Sequence, residues 1–291
     1  MSKPRELSAA RPAEALHEDR EASRLAWDRI AQGYDRTNTP TQMWLGNEGL
    51  RRAGLRSGMR FLDVAAGSGA LAIPAARLGA RVLATDQSGV MLELLDKRAR
   101  AEGLRVETRV MDGQALEFDG EPFDMAGSQF GVMLFADMPK GIGEMARVVR
   151  PGGRVLMIAY GNPHEIEFLG FLVEAIRSVR ADFTGPGMDP PPLPFQLRDP
   201  ERLRKELVAA GLTAVTVETI TETTEFPGGK QLWDWLVSSN PIVEAVLADL
   251  DLSGDERGTI QATLETLVRE RAGDGGVAAL TNPINIGVGT K

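Results

Sequence analysis

The chain has 291 residues, of which 43% are hydrophobic and 25% are charged, and its formal net charge is -8. This size and composition predict a folded protein with a substantial core, and the net acidity argues against tight binding of a nucleic-acid backbone. Because it has no cysteines and only two histidines, disulfides and cysteine metal sites are excluded, and no dedicated metal site is expected.

The apolar runs of the chain are too short to predict a membrane span, which needs roughly 20 apolar residues. Residues 1–24 mix both charge signs without an apolar block, unlike a secretory signal. We therefore expect a cytoplasmic protein, and the sequence leaves a homodimer open.

Strand-like and helix-like segments alternate between residues 59 and 160, which favours a parallel sheet with helices on both faces. A helix at 17–30 is predicted to lead to Tyr34. The predicted strands are 59–65, 80–85, 104–111, 122–128 and 153–160. The predicted helices between them are about 70–79, 88–102 (with Ser88 as N-cap) and 138–149, and a tight turn at 151–153 precedes the fifth strand.

Beyond residue 160 the alternation becomes less regular. The predicted elements are a helix at 162–180, a proline-rich loop at 184–194, a helix opened by Asp199 and Pro200 that ends at Gly211, a strand at 212–226, helices near 228–250 and 254–272, and a strand at 284–288. The resulting division is a helical lid (1–50), a core (51–160), a cap segment (161–199), a core helix and strand (200–226), cap helices (227–276) and a last core strand (277–291).

A glycine loop follows the first predicted strand, in the segment from Asp63 to Gly69. A loop of this kind before a helix directs backbone N–H groups at a ligand. Taken alone, the stretch from Gly67 to Ala72 fits the GxGxxA pattern, which also occurs in dinucleotide-binding proteins. Asp63 is unusual for a dinucleotide site because that strand position is ordinarily apolar.

Two further acids end the next two predicted strands. Asp86 stands 17 positions after Gly69, where a carboxylate accepts hydrogen bonds from ribose hydroxyls. Asp112 ends the third strand, where it can accept from an adenine amino group. Acids at the ends of three successive strands suit a nucleoside that carries an amino acid better than they suit a pyrophosphate.

Five segments in order resemble the class I S-adenosylmethionine-dependent methyltransferases, and most closely the branch with the ubiquinone and menaquinone biosynthesis C-methyltransferases. They are residues 27–35, 62–69, 86–92, 111–114 and 144–153. Ala65 stands where many members have glycine, which the quinone branch tolerates. The resemblance implies an α/β fold, a doubly wound, seven-stranded, mostly parallel Rossmann-like sheet with a helical cap, and S-adenosyl-L-methionine as cofactor with S-adenosyl-L-homocysteine as product.

The resemblance also implies a set of cofactor-binding residues. The loop residues Ala65, Gly67, Ser68 and Gly69 would cradle the methionine part, with Asp63 fixing the loop or reaching the ammonium group through water. Asp86 would hold the ribose, Asp112 with the Gly113 N–H would hold the adenine, and Gln87 and Met91 would pack near the adenosine. Ser128 and Gln129 would face the sulfonium, and Tyr34 would belong to a lid over the cofactor. The alternatives are structural: capping acids, a core methionine and a gap-filling tyrosine.

The catalytic base is less clearly marked. His164 follows the fifth strand at the carboxyl edge of the sheet, where open α/β folds bind ligands, and we take His164 and Tyr34 as the candidate catalytic residues. A surface or capping histidine is the alternative. Aromatic residues of the cap segments either wall an apolar substrate pocket or pack the cap against the core; they are Phe168, Phe171, Phe226, Trp233 and Trp235.

The leading hypothesis is methyl transfer to a small, largely apolar organic acceptor at carbon, oxygen or nitrogen. An NAD-dependent oxidoreductase and a non-catalytic cofactor-binding protein are the alternatives. A nucleic-acid methyltransferase of the amino-directed kind would carry an (Asp/Asn/Ser)ProProTyr element after the fourth strand, where residues 127–131 have a different sequence.

Overall fold

The computed structural model describes residues 20–185, 187–239 and 241–291, and within them the chain forms a seven-stranded sheet. The strands are β1 (Arg60–Val64), β2 (Arg81–Asp86), β3 (Val106–Val110), β4 (Phe123–Gln129), β5 (Val149–Tyr160), β6 (Thr213–Phe226) and β7 (Ala278–Thr290). Their order is β3-β2-β1-β4-β5-β7-β6. β1 to β5 pair in parallel, and β7 lies antiparallel between β5 and β6. The predicted seven-stranded, mostly parallel sheet is confirmed.

Helices connect the parallel strands and extend beyond them. They are α1 (Arg20–Thr37), α2 (Thr39–Ala53), α3 (Ala72–Arg77), α4 (Gly89–Ala101), α5 (Met138–Val148), α6 (Glu167–Arg177), α7 (Pro200–Ala209), α8 (Gly229–Ser239), α9 (Pro241–Asp249) and α10 (Gly254–Ala272). Because such helices cover both faces of a parallel sheet, its central strands are buried throughout. β1 and β4 are almost fully buried, whereas the edge strand β3 is half exposed.

Two predicted helix starts are confirmed by their caps. The Met91 amide donates to Ser88 Oγ at 3.1 Å at the start of α4. The Glu201 amide donates to Asp199 Oδ1 at 2.9 Å at the start of α7. These side chains satisfy backbone donors that a helix leaves unpaired at its first turn.

Several helix predictions were wrong in their bounds. Residues 17–19 of the first predicted helix lie outside the described residues, and α1 continues to Thr37. No sequence pattern predicted α2, which carries two glycines. The single helix predicted at 162–180 is a short 3₁₀ turn, Pro163–Glu165, followed by α6. The helix predicted at 228–250 is two helices, because Pro241 begins α9 and cannot continue the helix before it.

Two strands are longer than predicted. The expected turn at 151–153 lies within β5, where Gly152 has a φ of +75°. β7 begins six residues before the predicted strand and contains Pro283. The Pro283 carbonyl accepts from the Gly161 amide just past the end of β5, and N–H and C=O of one strand residue point to the same side. The missing proline N–H is therefore on the β5 side, opposite Gly161 just past the end of that strand, so the pairing of β7 with β6 loses no hydrogen bond.

The apolar side chains form two large clusters. The sheet core lies between the sheet and its helices and includes Phe61, Leu62, Met125, Leu156 and Ile284. The cap core is built from α6, α8, α9, α10 and the adjoining ends of β6 and β7, and includes Phe168, Leu172, Trp235, Ile260 and Leu280. Tyr160, at the end of β5, packs against both clusters and marks their junction.

Candidate functional site

A narrow cavity of about 110 Å³, here called the first cavity, lies between the carboxyl ends of the central strands and α1. Ten of the residues predicted to bind a cofactor line it: Tyr34, Asp63, Ala65, Gly67, Asp86, Gln87, Met91, Asp112, Gly113 and Gln129. The structure thus brings together residues that are spread over almost 100 positions of the chain. Ligands of open α/β sheets bind at this edge.

The glycine loop takes its shape from positive φ angles and from Asp86. Gly67 has a φ of +53°, Gly69 of +102° and Ala65 of +57°, a region that glycine enters easily and alanine only with strain. The Gly67 amide donates to Asp86 Oδ2 at 2.8 Å, and the Ser88 amide donates to Asp86 Oδ1 at 2.9 Å. Burial raises the pKa of Asp86, and these amides offset part of that rise. Each carboxylate oxygen keeps a second lone pair for a ligand.

Asp63 is the least satisfied acid of the first cavity. It is 1% exposed, and neither carboxyl oxygen has a hydrogen-bond partner among the described residues. Burial, and then the charge of Asp86, raise the pKa of Asp63 well above its ordinary value. A buried carboxylate without a partner is unfavourable by several kcal/mol or more, so the site is suited to a ligand that supplies a positive charge.

Gln129 and Tyr34 form a second polar part of the wall. The Tyr34 hydroxyl donates to Gln42 Oε1 at 2.9 Å, and Gln129 Nε2 donates to the Gln42 carbonyl at 3.0 Å. Gln129 Oε1 is buried without a partner among the described residues. Burial raises the pKa of Tyr34, so its phenol stays protonated. The wall therefore offers a further unused acceptor to a ligand.

Helix α1 closes over the first cavity through polar contacts. Arg20 Nη2 lies 2.5 Å from Asp112 Oδ2, and Gln87 Nε2 donates to Ser23 Oγ at 3.3 Å. Asp112 Oδ1 also accepts from the Gln114 amide at 2.9 Å. Ligand pockets are typically roughly 300–1,000 Å³, so the first cavity, at about 110 Å³, is smaller than a typical ligand pocket.

Three predicted contact residues do not line the first cavity but stand behind its wall. Ser68 is fully buried, with Oγ 2.5 Å from Thr39 Oγ1. Ser128 Oγ accepts from the Val132 amide at 3.1 Å. An added Cβ on Gly69 would meet side chains of Ile73 and Leu95 at 3.0 Å. Their side chains thus do not reach the first cavity, and contact of these residues with the cofactor stays a prediction.

A second cavity of about 710 Å³ lies beside the first, at the junction of the sheet core and the cap core. Its wall includes Phe130 and Tyr160, whose rings stack with centroids 4.3 Å apart and an interplanar angle of 17°. Phe168 and Phe195 extend this aromatic wall. Four residues line both cavities: Trp27, Tyr34, Phe130 and Leu134.

The remaining predicted residues are placed around the second cavity or away from it. His164 is exposed at the second cavity, and its backbone amide donates to Asn162 Oδ1 at 3.2 Å. Of the five predicted cap aromatics, Phe168 lines the second cavity, whereas the other four pack with the cap core. His164 and Tyr34 both line this cavity, although only Tyr34 also reaches the first.

Sequence reasoning missed several residues of the two cavities. Phe130 has a φ of +58°, which turns the chain just after β4 and places its ring between the cavities. Arg20 lies on α1 and Gln42 on α2. No local sequence pattern indicates how these helices pack against the sheet. Tyr160 carried a usable signal, because it ends a predicted strand at the ligand-binding edge.

No group of three or more acidic, histidine or cysteine side chains suited to a metal ion occurs in residues 20–185, 187–239 and 241–291. Among the helices described, none combines the length and apolarity that a bilayer crossing requires.

Comparisons with known proteins show similarity to methyltransferases. Residues 61–153 match the family described as "Methyltransferase domain". An uncharacterized protein of Mycobacterium tuberculosis is 33% identical over 195 residues, which cover 66% of this chain and 68% of that protein. The demethylmenaquinone methyltransferase of Clavibacter sepedonicus is 36% identical over 143 residues, covering 47% of this chain and 57% of that enzyme.

Solved structures share the fold at low sequence identity. The YcgJ protein of Bacillus subtilis has a TM-score of 0.53 and 18% identity, covering 86% of this chain and 97% of that protein. A second structure is phosphoethanolamine N-methyltransferase 2 of Haemonchus contortus in complex with phosphomonomethylethanolamine and S-adenosylhomocysteine. It has a TM-score of 0.52 and 21% identity, and the match covers 90% of this chain and 60% of that enzyme. At this level of identity, the two similarities support the fold and nothing further.

Proposed function

Because this chain belongs to the class I S-adenosylmethionine-dependent methyltransferases, we propose that it methylates a small, largely apolar organic acceptor held in the second cavity. The cofactor of this family is S-adenosylmethionine, which supplies an electrophilic methyl group on a sulfonium sulfur. The observation that carries the proposal is the aromatic second cavity of about 710 Å³, which shares a wall with the first.

The first cavity fits the cofactor by its unsatisfied acceptors. Asp63, with two carboxyl oxygens lacking partners, and Gln129, with a free Oε1, suit the α-ammonium group of the methionine part. Asp86 suits the ribose hydroxyls, and Asp112 with the Gly113 amide suits the adenine. These assignments rest on the placement of the residues and on hydrogen-bond chemistry.

The chain's contribution to the reaction is mainly positioning. Methyl transfer is an in-line displacement, so alignment of the nucleophile with the methyl carbon and exclusion of water supply much of the rate. Tyr34 stands where the two cavities meet, beside Trp27, which also lines both. Where the acceptor must lose a proton, His164 is the candidate base.

Calorimetric titration with S-adenosylmethionine, S-adenosylhomocysteine and NAD tests the cofactor assignment. We expect the two sulfur nucleosides to bind and NAD not to bind. Methylation of a panel of hydrophobic phenols, quinols and amines then tests the acceptor class. Turnover restricted to strongly polar acceptors such as glycine would overturn it.

The second cavity itself is tested by two neighbouring phenylalanines of α6. Phe168→Leu removes an aromatic group from the cavity wall, and we expect kcat/KM for an apolar acceptor to fall roughly 2- to 10-fold with cofactor affinity unchanged. Phe171→Leu is the matched control, because Phe171 also packs with the cap core but does not line the second cavity. An equal effect of the two variants would contradict the placement of the acceptor.

A further inference from the structure

The hydroxyl of Tyr160 is an unused hydrogen-bonding group in the wall of the second cavity. Tyr160 lines this cavity, and its hydroxyl makes no hydrogen bond to another described residue. The oxygen is not sealed in the interior either, whereas Trp235 Nε1 of the cap core is buried without a partner among the described residues. A ligand in the second cavity can therefore reach the Tyr160 hydroxyl.

Two other hydroxyl groups of the second cavity already donate to a partner. The Tyr34 hydroxyl donates to Gln42 Oε1 at 2.9 Å, and Ser239 Oγ donates to the Leu236 carbonyl at 2.8 Å. Gln42 Nε2, like the Tyr160 hydroxyl, makes no hydrogen bond to another described residue. The wall of the second cavity thus presents unused donors to a ligand, and Tyr160 supplies the hydroxyl among them.

Three aromatic rings and a strand fix the position of the Tyr160 ring. Phe130 stacks on it with centroids 4.3 Å apart, and Phe168 and Phe195 contact it with centroids at 6.1 Å and 6.4 Å. Its backbone is paired with Ile284 of β7. Because the ring is already held in place, a ligand that binds its hydroxyl pays little ordering entropy for this contact.

The stacking on Phe130 also locates Tyr160 with respect to the first cavity. Phe130 lines both cavities, so Tyr160 is one stacked ring away from their common wall. An acceptor atom bound by Tyr160 is therefore held at the side of the second cavity that adjoins the first.

The chemistry of the Tyr160 hydroxyl indicates which ligand group it binds. Burial raises the pKa of Tyr160 well above its ordinary value, so the phenol keeps its proton at neutral pH and donates one hydrogen bond. The complementary group is an oxygen of high electron density. On an aromatic molecule such an oxygen is a carbonyl or a phenolate, and a charged acceptor makes the stronger hydrogen bond.

Resting on the proposed function, we propose that Tyr160 is a specificity-determining residue whose hydroxyl donates a hydrogen bond to a carbonyl or phenolate oxygen of the methyl acceptor. The acceptors selected in this way are aromatic ketones and phenols, in preference to aromatic hydrocarbons of the same shape. The stacked Phe130 ring holds this contact beside the wall that the two cavities share.

Binding of two aromatic probes to the full chain saturated with S-adenosylhomocysteine tests this inference. The probes are 2-acetylnaphthalene and 2-isopropenylnaphthalene, which have nearly the same shape, and only the ketone carries an oxygen. Tyr160→Phe removes the hydroxyl and keeps the ring. We expect it to lower the preference for the ketone, measured as the ratio of the two Kd values, by about 3- to 10-fold. Ser239→Ala is the matched control, because it removes a hydroxyl of the same cavity that already donates to Leu236, and it should leave the ratio unchanged.

A second measurement needs only the wild-type protein. The infrared C=O stretching band of bound 2-acetylnaphthalene should lie at lower frequency than in hexane, because a hydrogen bond weakens the C=O bond. In Tyr160→Phe the band should move back toward its position in hexane. Titration of this variant with S-adenosylhomocysteine checks that its first cavity is intact.

The outcomes separate the inference from the proposed function. An unshifted band in the wild type, or a Kd ratio that Tyr160→Phe leaves unchanged or that Ser239→Ala lowers equally, would overturn the role of Tyr160 and leave the apolar cavity standing. Failure of both probes to bind would overturn the proposed acceptor class itself.

Discussion

Asp63 and Asp86 lie at the ends of neighbouring strands, yet they stand in different chemical situations. Asp86 accepts two backbone N–H groups and so sets the shape of the glycine loop. Asp63 makes no such hydrogen bond, although the nearby Ala72 backbone N–H offsets part of the rise in its pKa. Burial raises the pKa of both, and a cationic ligand would relieve Asp63 more than Asp86.

Replacement of Asp86 by alanine should weaken S-adenosylmethionine binding by about 1–3 kcal/mol, since a ribose hydroxyl pair loses a charged acceptor and the Gly67 amide loses its partner. Calorimetric titration measures the change. Asp96→Ala, which removes only a surface ion pair with Arg100, serves as the control. An unchanged affinity of Asp86→Ala would refute the ribose assignment.

The buried Glu222 predicts a stability that falls as the pH rises. Burial raises its pKa from 4.5 to about 7, so between these values the folded chain keeps a proton that the unfolded chain has lost. Relative to Glu222→Gln, the free energy of unfolding of the wild type should therefore decrease by about 3 kcal/mol from pH 4.5 to pH 7 and then level off. Urea unfolding of both proteins across this range measures it; a constant difference between them would show that Glu222 is ionised throughout.

At the scale of elements, α1 binds the edge of the sheet through polar contacts as well as through a small apolar cluster in which Ala31 packs with Met91 and Leu94 of α4. Besides Arg20 and Ser23, Asp28 Oδ1 lies 2.5 Å from Ser88 Oγ, and Arg98 on α4 pairs with Asp35 at 2.5 Å. Contacts of this kind break and re-form more easily than apolar packing, because water can replace each partner. The small apolar cluster of α1 is separate from the sheet core, so we expect a movement of α1 to leave the sheet core intact.

Arg20→Ala should tighten S-adenosylmethionine binding by up to about fivefold, because the Arg20 guanidinium occupies the Asp112 oxygen that an adenine amino group would use. Arg29→Ala on the same helix, which breaks an exposed pair with Glu244, should leave the affinity unchanged. A weaker complex with Arg20→Ala would mean that Arg20 itself contacts the cofactor.

Elements whose signal is local could be predicted from the sequence, and elements held by distant contacts could not. The buried strands and the Ser88 cap followed from apolar runs and capping chemistry. α2 was not predicted because Gly46 and Gly49 lower its helix propensity. Both positions need glycine because α2 packs closely against other elements. A Cβ at either position would come within 2.6 Å of the Ala70 carbonyl or of Ile158.

The same contrast holds for the candidate site. The three strand-end acids could be identified because each is adjacent in sequence to the element that positions it. The second cavity could not, since its walls come from α1, α6 and the loops after β4 and β5. The burial of Glu222 could not be predicted either. Polar residues occur on both faces of β6, so the sequence pattern does not show which of them is buried.

On the scale of the whole molecule, the sheet core and the cap core are joined around Tyr160, and the second cavity lies at that junction with the first cavity beside it. A ligand there contacts elements from both clusters. Its binding energy therefore adds to the stability of the folded chain as a whole.

S-adenosylmethionine at about 100 times its dissociation constant should raise the free energy of unfolding by about 2.7 kcal/mol. For a chain of this size the melting temperature should rise by roughly 5 °C. Differential scanning calorimetry with and without cofactor measures the shift, and NAD at the same concentration is the control. An equal shift with NAD would contradict the selectivity expected of the first cavity.

Four side chains line both cavities and so form a wall common to them: Trp27, Tyr34, Phe130 and Leu134. A ligand in one cavity fixes side chains that the ligand in the other must also order, so the two binding events are coupled. Coupling of this kind is reciprocal: the factor by which the cofactor changes acceptor affinity equals the factor by which the acceptor changes cofactor affinity. We therefore expect the cofactor and the acceptor to bind cooperatively, because both ligands would order the same four side chains.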